Sequence, residues 1–267
     1  MTVETINPHG FCAGVKGALE RAQKNPGAYC LHEIVHNQLV VDGLKTLGMT
    51  FVESLDEIPE GGEVIFSAHG VSPAVRSEAA VRHLSVVDAT CPFVVKVHRD
   101  ARRFAEEGLA VVVIGHKGHA EVAGIVGEVE DVPSACAYIY PELPARGTRI
   151  GVVSQTTMNR DDVERIIANL RKDYIVETSA QVCNATKERQ DAVKAFTGDA
   201  IVVLGGANSS NTLRLVEVAH CRAWRAGDME ELKAIDFSGV KRLGVTAGAS
   251  TPESFLDEAV SYLKGLD

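Results

Sequence analysis

Short apolar runs recur along this chain, and each breaks into a polar, glycine-containing loop followed by helical periodicity. EVIFSAHGVSPAVRSEAA, LAVVVIGHKGHAEVAGIVG and DAIVVLGGANSSNTLRLVEVA follow this plan, as do RIGVVSQTTMNRDDVERII and RLGVTAGASTPESFLDEAV. CLHEIVHNQLVVDGLKTL is a shorter sixth example. An unbroken apolar run suits a strand covered on both faces, and the order strand, loop, helix predicts parallel α/β units.

Indexed against the cysteines, the loops fall into a repeat. Cys12 is followed by His36 after 24 residues and by His69 after 57. Cys91, in VVDATCPFVVKV, is followed by His116 to His119 after 25 to 28 residues, and by Gln155 and Thr156 after 64 and 65. Cys183, in AQVCNATKERQDAV, is followed by Asn208 to Asn211 after 25 to 28 residues and by Ser250 after 67. The pattern predicts an α/β fold of three similar modules, 13–91, 92–181 and 182–267, with small, mainly parallel sheets about a pseudo-threefold axis. An N-terminal strand within 1–12 is expected to join the third module. Functional loops gather at the carboxyl ends of parallel strands, so inward-facing modules would bring three cysteines and six loops to one central cavity.

Composition narrows the function class. The 267 residues exceed the usual single-domain size, and 45% apolar with 24% charged residues is an ordinary globular profile. A net charge of −9 without a long basic run argues against a nucleic-acid partner. No apolar run approaches a membrane span, and MTVETINPHG reads as neither a secretion signal nor a transit peptide, so a cytoplasmic protein is expected. Six cysteines in such a chain read as thiols or metal ligands rather than a disulfide framework. Cys30, Cys136 and Cys221 read as buried small apolar residues.

The other three carry the chemistry. Drawn from distant parts of the chain and lacking a CxxC pair, they match no common structural zinc spacing. They suit an iron–sulfur cluster, whose ligands are thiolates, although spacing alone leaves a three-cysteine zinc site open. A four-iron cubane on three protein thiolates keeps one iron for a substrate oxygen. The loops add His36, His69, His119, Thr156, Ser209, Ser210, Asn211 and Ser250, donors ahead of helices that suit a phosphate or diphosphate. Lys117 is the one cationic side chain among these loops. Each Ser, Thr or Asn alone would be an ordinary helix cap, and only convergence points to a ligand. Glu121 is the one carboxylate in these loops, a natural proton donor if burial keeps it partly protonated. His116 and His119, at i and i+3, also have metal-ligand spacing.

NPHGFCAG, HEIVHNQLVVDGL, IFSAHGVS, VVDATCPFVVKVH, GHKGHAEV, SQTT, CNATKERQDAV, GANSSNTLRL and VTAGAS occur in this order over residues 7 to 250. The series resembles that of the LytB-type 4-hydroxy-3-methylbut-2-enyl diphosphate reductases, which close the methylerythritol phosphate route to isoprenoids. The resemblance implies a trefoil of three α/β modules around a [4Fe–4S] cluster held by Cys12, Cys91 and Cys183. It implies an allylic alcohol diphosphate substrate whose hydroxyl leaves as water, giving isopentenyl and dimethylallyl diphosphates. It further implies substrate contacts from His36, His69, His119, Ser209, Ser210, Asn211 and Ser250. Thr156 would lie near the substrate hydroxyl and Glu121 would donate the proton. Electrons would come from a ferredoxin or flavodoxin. Arg99, Arg102 and Arg103 are candidates for docking such an acidic donor, or else a solvated helix face. His9 and Ala120 depart from the pattern, where arginine and proline are more usual.

Overall fold

The structure is a computed structural model in which residues 1–179 and 182–266 are described. Gln181, at the expected end of the second module, and Asp267, at the end of the third, lie outside the described residues, as does Ala180. The chain divides into two compact units. One comprises Met1–Lys16, Val35–Thr46 and Asn184–Asp267, the other Gly17–Ile34 and Leu47–Cys183.

The elements up to the second cysteine are β1 (Thr2–Thr5), α1 (Ala13–Lys24), β2 (Tyr29–Leu31), α2 (Gln38–Lys45), β3 (Thr50–Val52), β4 (Glu63–Phe66), α3 (Pro73–Val81) and β5 (Ser85–Asp88). Next come α4 (Pro92–Glu106), β6 (Ala110–Ile114), α5 (Ala120–Glu130), β7 (Ala137–Ile139), β8 (Arg149–Ser154), α6 (Arg160–Leu170) and β9 (Ile175–Thr178). The chain continues through α7 (Asn184–Ala195), β10 (Ala200–Leu204), α8 (Ser210–Glu217), β11 (Arg222–Ala226), α9 (Met229–Lys233), β12 (Arg242–Ala247) and α10 (Glu253–Lys264).

Three four-stranded sheets result. The first unit holds β11-β10-β12-β1, and the second holds β3-β2-β4-β5 and β7-β6-β8-β9. Every pairing is parallel. Counted from the cysteine that precedes them, the strands take one order in all three sheets: second, first, third. The fourth, edge position belongs to the strand that runs into the next cysteine. In the first unit that strand is β1, at the start of the chain, which pairs with β12 from its end.

Burial explains the uninterrupted apolar runs. All five residues of β10 are buried. Ala200, Val202 and Leu204 pack with Leu256, Ala259 and Leu263 of α10. Ile201 and Val203 pack on the other face with Val193 of α7 and Leu215 of α8. β6 is sandwiched likewise, with Val111 and Val113 against Val97, Phe104 and Ile125, and Val112 and Ile114 against Val163, Ile167 and Leu170. Each such side chain contributes about 1.5–3 kcal/mol by leaving water. Edge strands bury less: TVET of β1, SVVD of β5 and IVET of β9 are half-exposed or exposed throughout. No helix among the described residues is long and apolar enough to cross a membrane.

One cysteine reading needs correction. Cys30 is buried and Cys221 partly so, but Cys136 is exposed. It sits just before β7, an edge strand of three residues that is only half-covered, so no core closes over it.

Gly151 in β8 is required by close approach, since a β-carbon there would stand 2.4 Å from the ring of buried Phe104. Gly151→Ala is expected to lower the unfolding free energy by about 1–3 kcal/mol, read by urea denaturation.

Candidate functional site

Cys12, Cys91 and Cys183 each stand immediately before a helix, α1, α4 and α7. Their backbones share one device. Cys12 N–H donates to the Ala249 carbonyl at 3.2 Å, Cys91 N–H to Ala68 at 3.0 Å and Cys183 N–H to Thr156 at 3.1 Å. Ala249, Ala68 and Thr156 are each the second residue beyond the third strand of a sheet, β12, β4 and β8. The same strap is therefore made three times. The three thiols are partly exposed and in no disulfide. The Cys12 sulfur accepts from Val15 N–H at 3.5 Å, whereas Cys91 is the N-cap residue of α4 with no capping bond from its side chain to the helix. Cys12 lies in the first unit, Cys91 and Cys183 in the second. Among the described residues no three His, Cys, Asp or Glu side chains are gathered as a metal-holding group.

The first unit supplies a set of polar groups at strand ends. Ser209 caps α8, its hydroxyl accepting from Thr212 N–H at 3.3 Å. Asn211, two residues on, is buried with both amide atoms lacking a partner. The Ser250 hydroxyl donates to the His36 carbonyl at 3.3 Å, tying the loop after β12 to the loop before α2. Gly206 lets the backbones meet there, for a β-carbon on it would stand 3.1 Å from the same carbonyl. Ser210 opens α8 between Ser209 and Asn211. Arg189 of α7 fastens the turn ahead of Cys12, donating from Nη2 to the Gly10 carbonyl at 2.7 Å.

The second unit brings His69, His119, Glu121 and Thr156 into one neighbourhood. The rings of His69 and His119 meet edge to face, with centroids 5.6 Å apart. His119 caps α5, its Nδ1 accepting from Glu121 N–H at 3.2 Å. Glu121 follows in the first turn and is 2% exposed. One carboxylate oxygen accepts Thr156 N–H at 2.7 Å and the other the Thr156 hydroxyl at 3.1 Å. Burial pushes the Glu121 carboxyl up to about 7, against the opposing pull of those two bonds. The helix dipole also favours the anion, and burial outweighs it. Thr156 thus joins an acid of intermediate strength to Cys183, whose N–H its carbonyl receives.

His116 is held by Gln155, whose Oε1 accepts from the His116 backbone at 3.0 Å and stands 3.1 Å from its Nδ1, so the GHKGH histidines serve as anchor and cap. Lys117 is exposed and pairs with Glu142. Arg102 and Arg103 pair with Glu106, Asp131 and Glu107 on an exposed face. Gln155, indexed in the repeat but not among the ligand candidates, is fully buried and reaches on to Thr157, and Asn37, not among the candidates, caps α2 with its Nδ2 buried and unsatisfied. The polarity of each inside a motif, QTT and HNQ, was the available signal.

Comparison with known proteins gives the kinship. The profile of the family described as LytB protein matches residues 3–264. A 4-hydroxy-3-methylbut-2-enyl diphosphate reductase of an Azoarcus strain is 46% identical over 97% of this chain and 88% of that protein. Its counterpart in Acidithiobacillus ferrooxidans is 41% identical over 99% and 89%. Among solved structures, the E-1-hydroxy-2-methyl-but-2-enyl-4-diphosphate reductase of Plasmodium falciparum superposes with a TM-score of 0.91 at 32% identity, covering 99% of this chain and 88% of that one. On sequence and fold together, this chain belongs to the LytB protein family.

Proposed function

We propose that this chain reductively dehydroxylates (E)-4-hydroxy-3-methylbut-2-enyl diphosphate to isopentenyl and dimethylallyl diphosphates, in the cytoplasm, as the last step of the methylerythritol phosphate route. Its modules are 13–91, 92–181 and 182–267, with strand 1–12 joining the last, a division supported by the strand order common to the three sheets. Cys12, Cys91 and Cys183 hold a [4Fe–4S] cluster. The donor chemistry fits that group: three thiols outside disulfides, each opening a helix and each strapped at its backbone in the same way. When bound, the cluster supplies electrons and a Lewis-acidic iron. An acidic carrier such as a ferredoxin or flavodoxin delivers the electrons.

The chain's own residues bind and protonate. The His36, His69 and His119 rings, with Ser209, Ser210, Asn211 and Ser250, take the diphosphate, the neutral donors acting as fixed dipoles. Asn211, its amide buried without a partner, supports this role. Thr156 lies beside the departing hydroxyl and Glu121 supplies its proton. The observation that carries the reading is the buried Glu121–Thr156–Cys183 chain, in which a carboxyl near 7 is one residue away from a proposed ligand.

Glu121→Gln is expected to keep the iron content and lower turnover about a hundred- to ten-thousand-fold, measured anaerobically with chemical reductant. Equal turnover would overturn the proton role, and turnover without reductant would mark a dehydratase instead. Wild-type turnover should fall as pH rises above about 7, where Glu121 loses its proton. Stability follows the same group. Below 4.5 Glu121 is neutral folded or unfolded; between 4.5 and about 7 the fold retains the proton; above that, the folded state carries a buried carboxylate. Relative to wild type, Glu121→Gln should therefore gain on the order of 3 kcal/mol across that window, read from denaturation midpoints against pH. Replacing Cys12, Cys91 or Cys183 by serine should deplete iron and acid-labile sulfide, whereas Cys136→Ser should leave both unchanged.

A further inference from the structure

His98 has no part in the chemistry above, yet it is buried at the junction of three elements that carry it. It belongs to α4, the helix that Cys91 opens. Its Nδ1 lies 3.1 Å from Glu128 Oε1 of α5, and Arg102 of α4 stands 3.7 Å from the other oxygen of the same carboxylate. The opposite edge of the ring, Cε1 and Nε2, faces two glycines. A β-carbon on Gly124 of α5 would stand 2.8 Å from Cε1 and 3.0 Å from Nε2, and one on Gly70 would stand 3.2 Å from Nε2. Nε2 itself is buried without a hydrogen-bond partner.

These contacts place the ring between the turn carrying His69 and the helix carrying His119 and Glu121. Gly70 immediately follows His69 and has a φ of +76°, and Gly124 lies one turn beyond Glu121. A β-carbon on Gly124 would also reach within 3.7 Å of the Gly70 carbonyl carbon, so both backbones close on the same ring edge. A β-carbon on either glycine would intrude on the imidazole. A histidine whose Nε2 meets backbone rather than a partner is shaped by space, not by a hydrogen bond at that atom.

We infer that His98 is a positioning residue that sets the separation of His69 and His119, and with it the affinity for the diphosphate end of the substrate. The inference rests on the proposed diphosphate role of those two histidines. His98→Asn keeps an amide donor for Glu128 but deletes the ring edge that holds the glycines apart. Gly124→Ala in that background returns a methyl group to the emptied space.

The anaerobic holoprotein is tested by calorimetry with inorganic pyrophosphate and by steady-state kinetics. His98→Asn is expected to weaken pyrophosphate binding and raise KM about tenfold, with kcat within about threefold and iron content unchanged. His98→Asn/Gly124→Ala is expected to recover at least half of that loss on a logarithmic scale. A folded His98→Asn variant with wild-type pyrophosphate affinity and KM would overturn the inference, as would a loss that the double variant leaves untouched. Should His98→Asn fail to fold, Gly124→Ala alone must show the same weakening, and wild-type affinity there overturns the inference too. Failure of the wild type to reduce its diphosphate substrate would instead remove the proposed function, while the pyrophosphate ratio still decides the role of His98.

Discussion

A single backbone hydrogen bond, made three times, organises the chemistry of this protein. A residue just ahead of a helix has its own N–H outside the helical ladder, and a buried N–H must find an acceptor. Here the carbonyl two residues past a strand end supplies it for Cys12, Cys91 and Cys183 alike. Each bond is modest in free energy, about 1 kcal/mol net. Its effect is geometric, because it fixes each thiol to a loop that carries another polar residue. Ala249 precedes Ser250, Ala68 precedes His69, and Thr156 is itself such a residue. Any displacement of a strand-end loop is passed on to a sulfur.

Thr156 shows what this coupling achieves. Its N–H and hydroxyl both donate to Glu121, and its carbonyl receives Cys183. Two donors and a helix N-terminus should hold a carboxyl low, yet burial raises it to about 7. An acid balanced in this way changes protonation near neutral pH, which neither a solvated glutamate nor a fully isolated one would do. The loop after β8 meets both oxygens of this buried carboxylate through Thr156.

Strand-loop-helix order was legible because both faces of β6 and β10 are covered, leaving unbroken apolar runs that no solvent-facing strand would show. The cysteine offsets were legible because the modules keep similar loop lengths. TVET of β1 and IVET of β9 are corresponding edge strands, each running into a cysteine. Burial of individual polar residues was not legible. Gln155, Asn37 and His98 owe their places to neighbours far along the chain, and Cys136 escaped the core because its strand is short and lies at an edge. Local pattern carries propensity and period, whereas these positions are set by which backbone happens to close over them.

Unsatisfied buried atoms separate two kinds of polar residue in this molecule. His98 Nε2 lacks a partner where β-carbons on Gly70 and Gly124 would crowd it. Asn211 lacks partners at both ends of its amide, beside a serine cap and at the start of a helix. Leaving each such atom unbonded costs about 1–3 kcal/mol, a penalty that a bound ligand can remove. An arginine in its place could only donate, and would serve a bare phosphate. An amide open at both ends can both donate and accept.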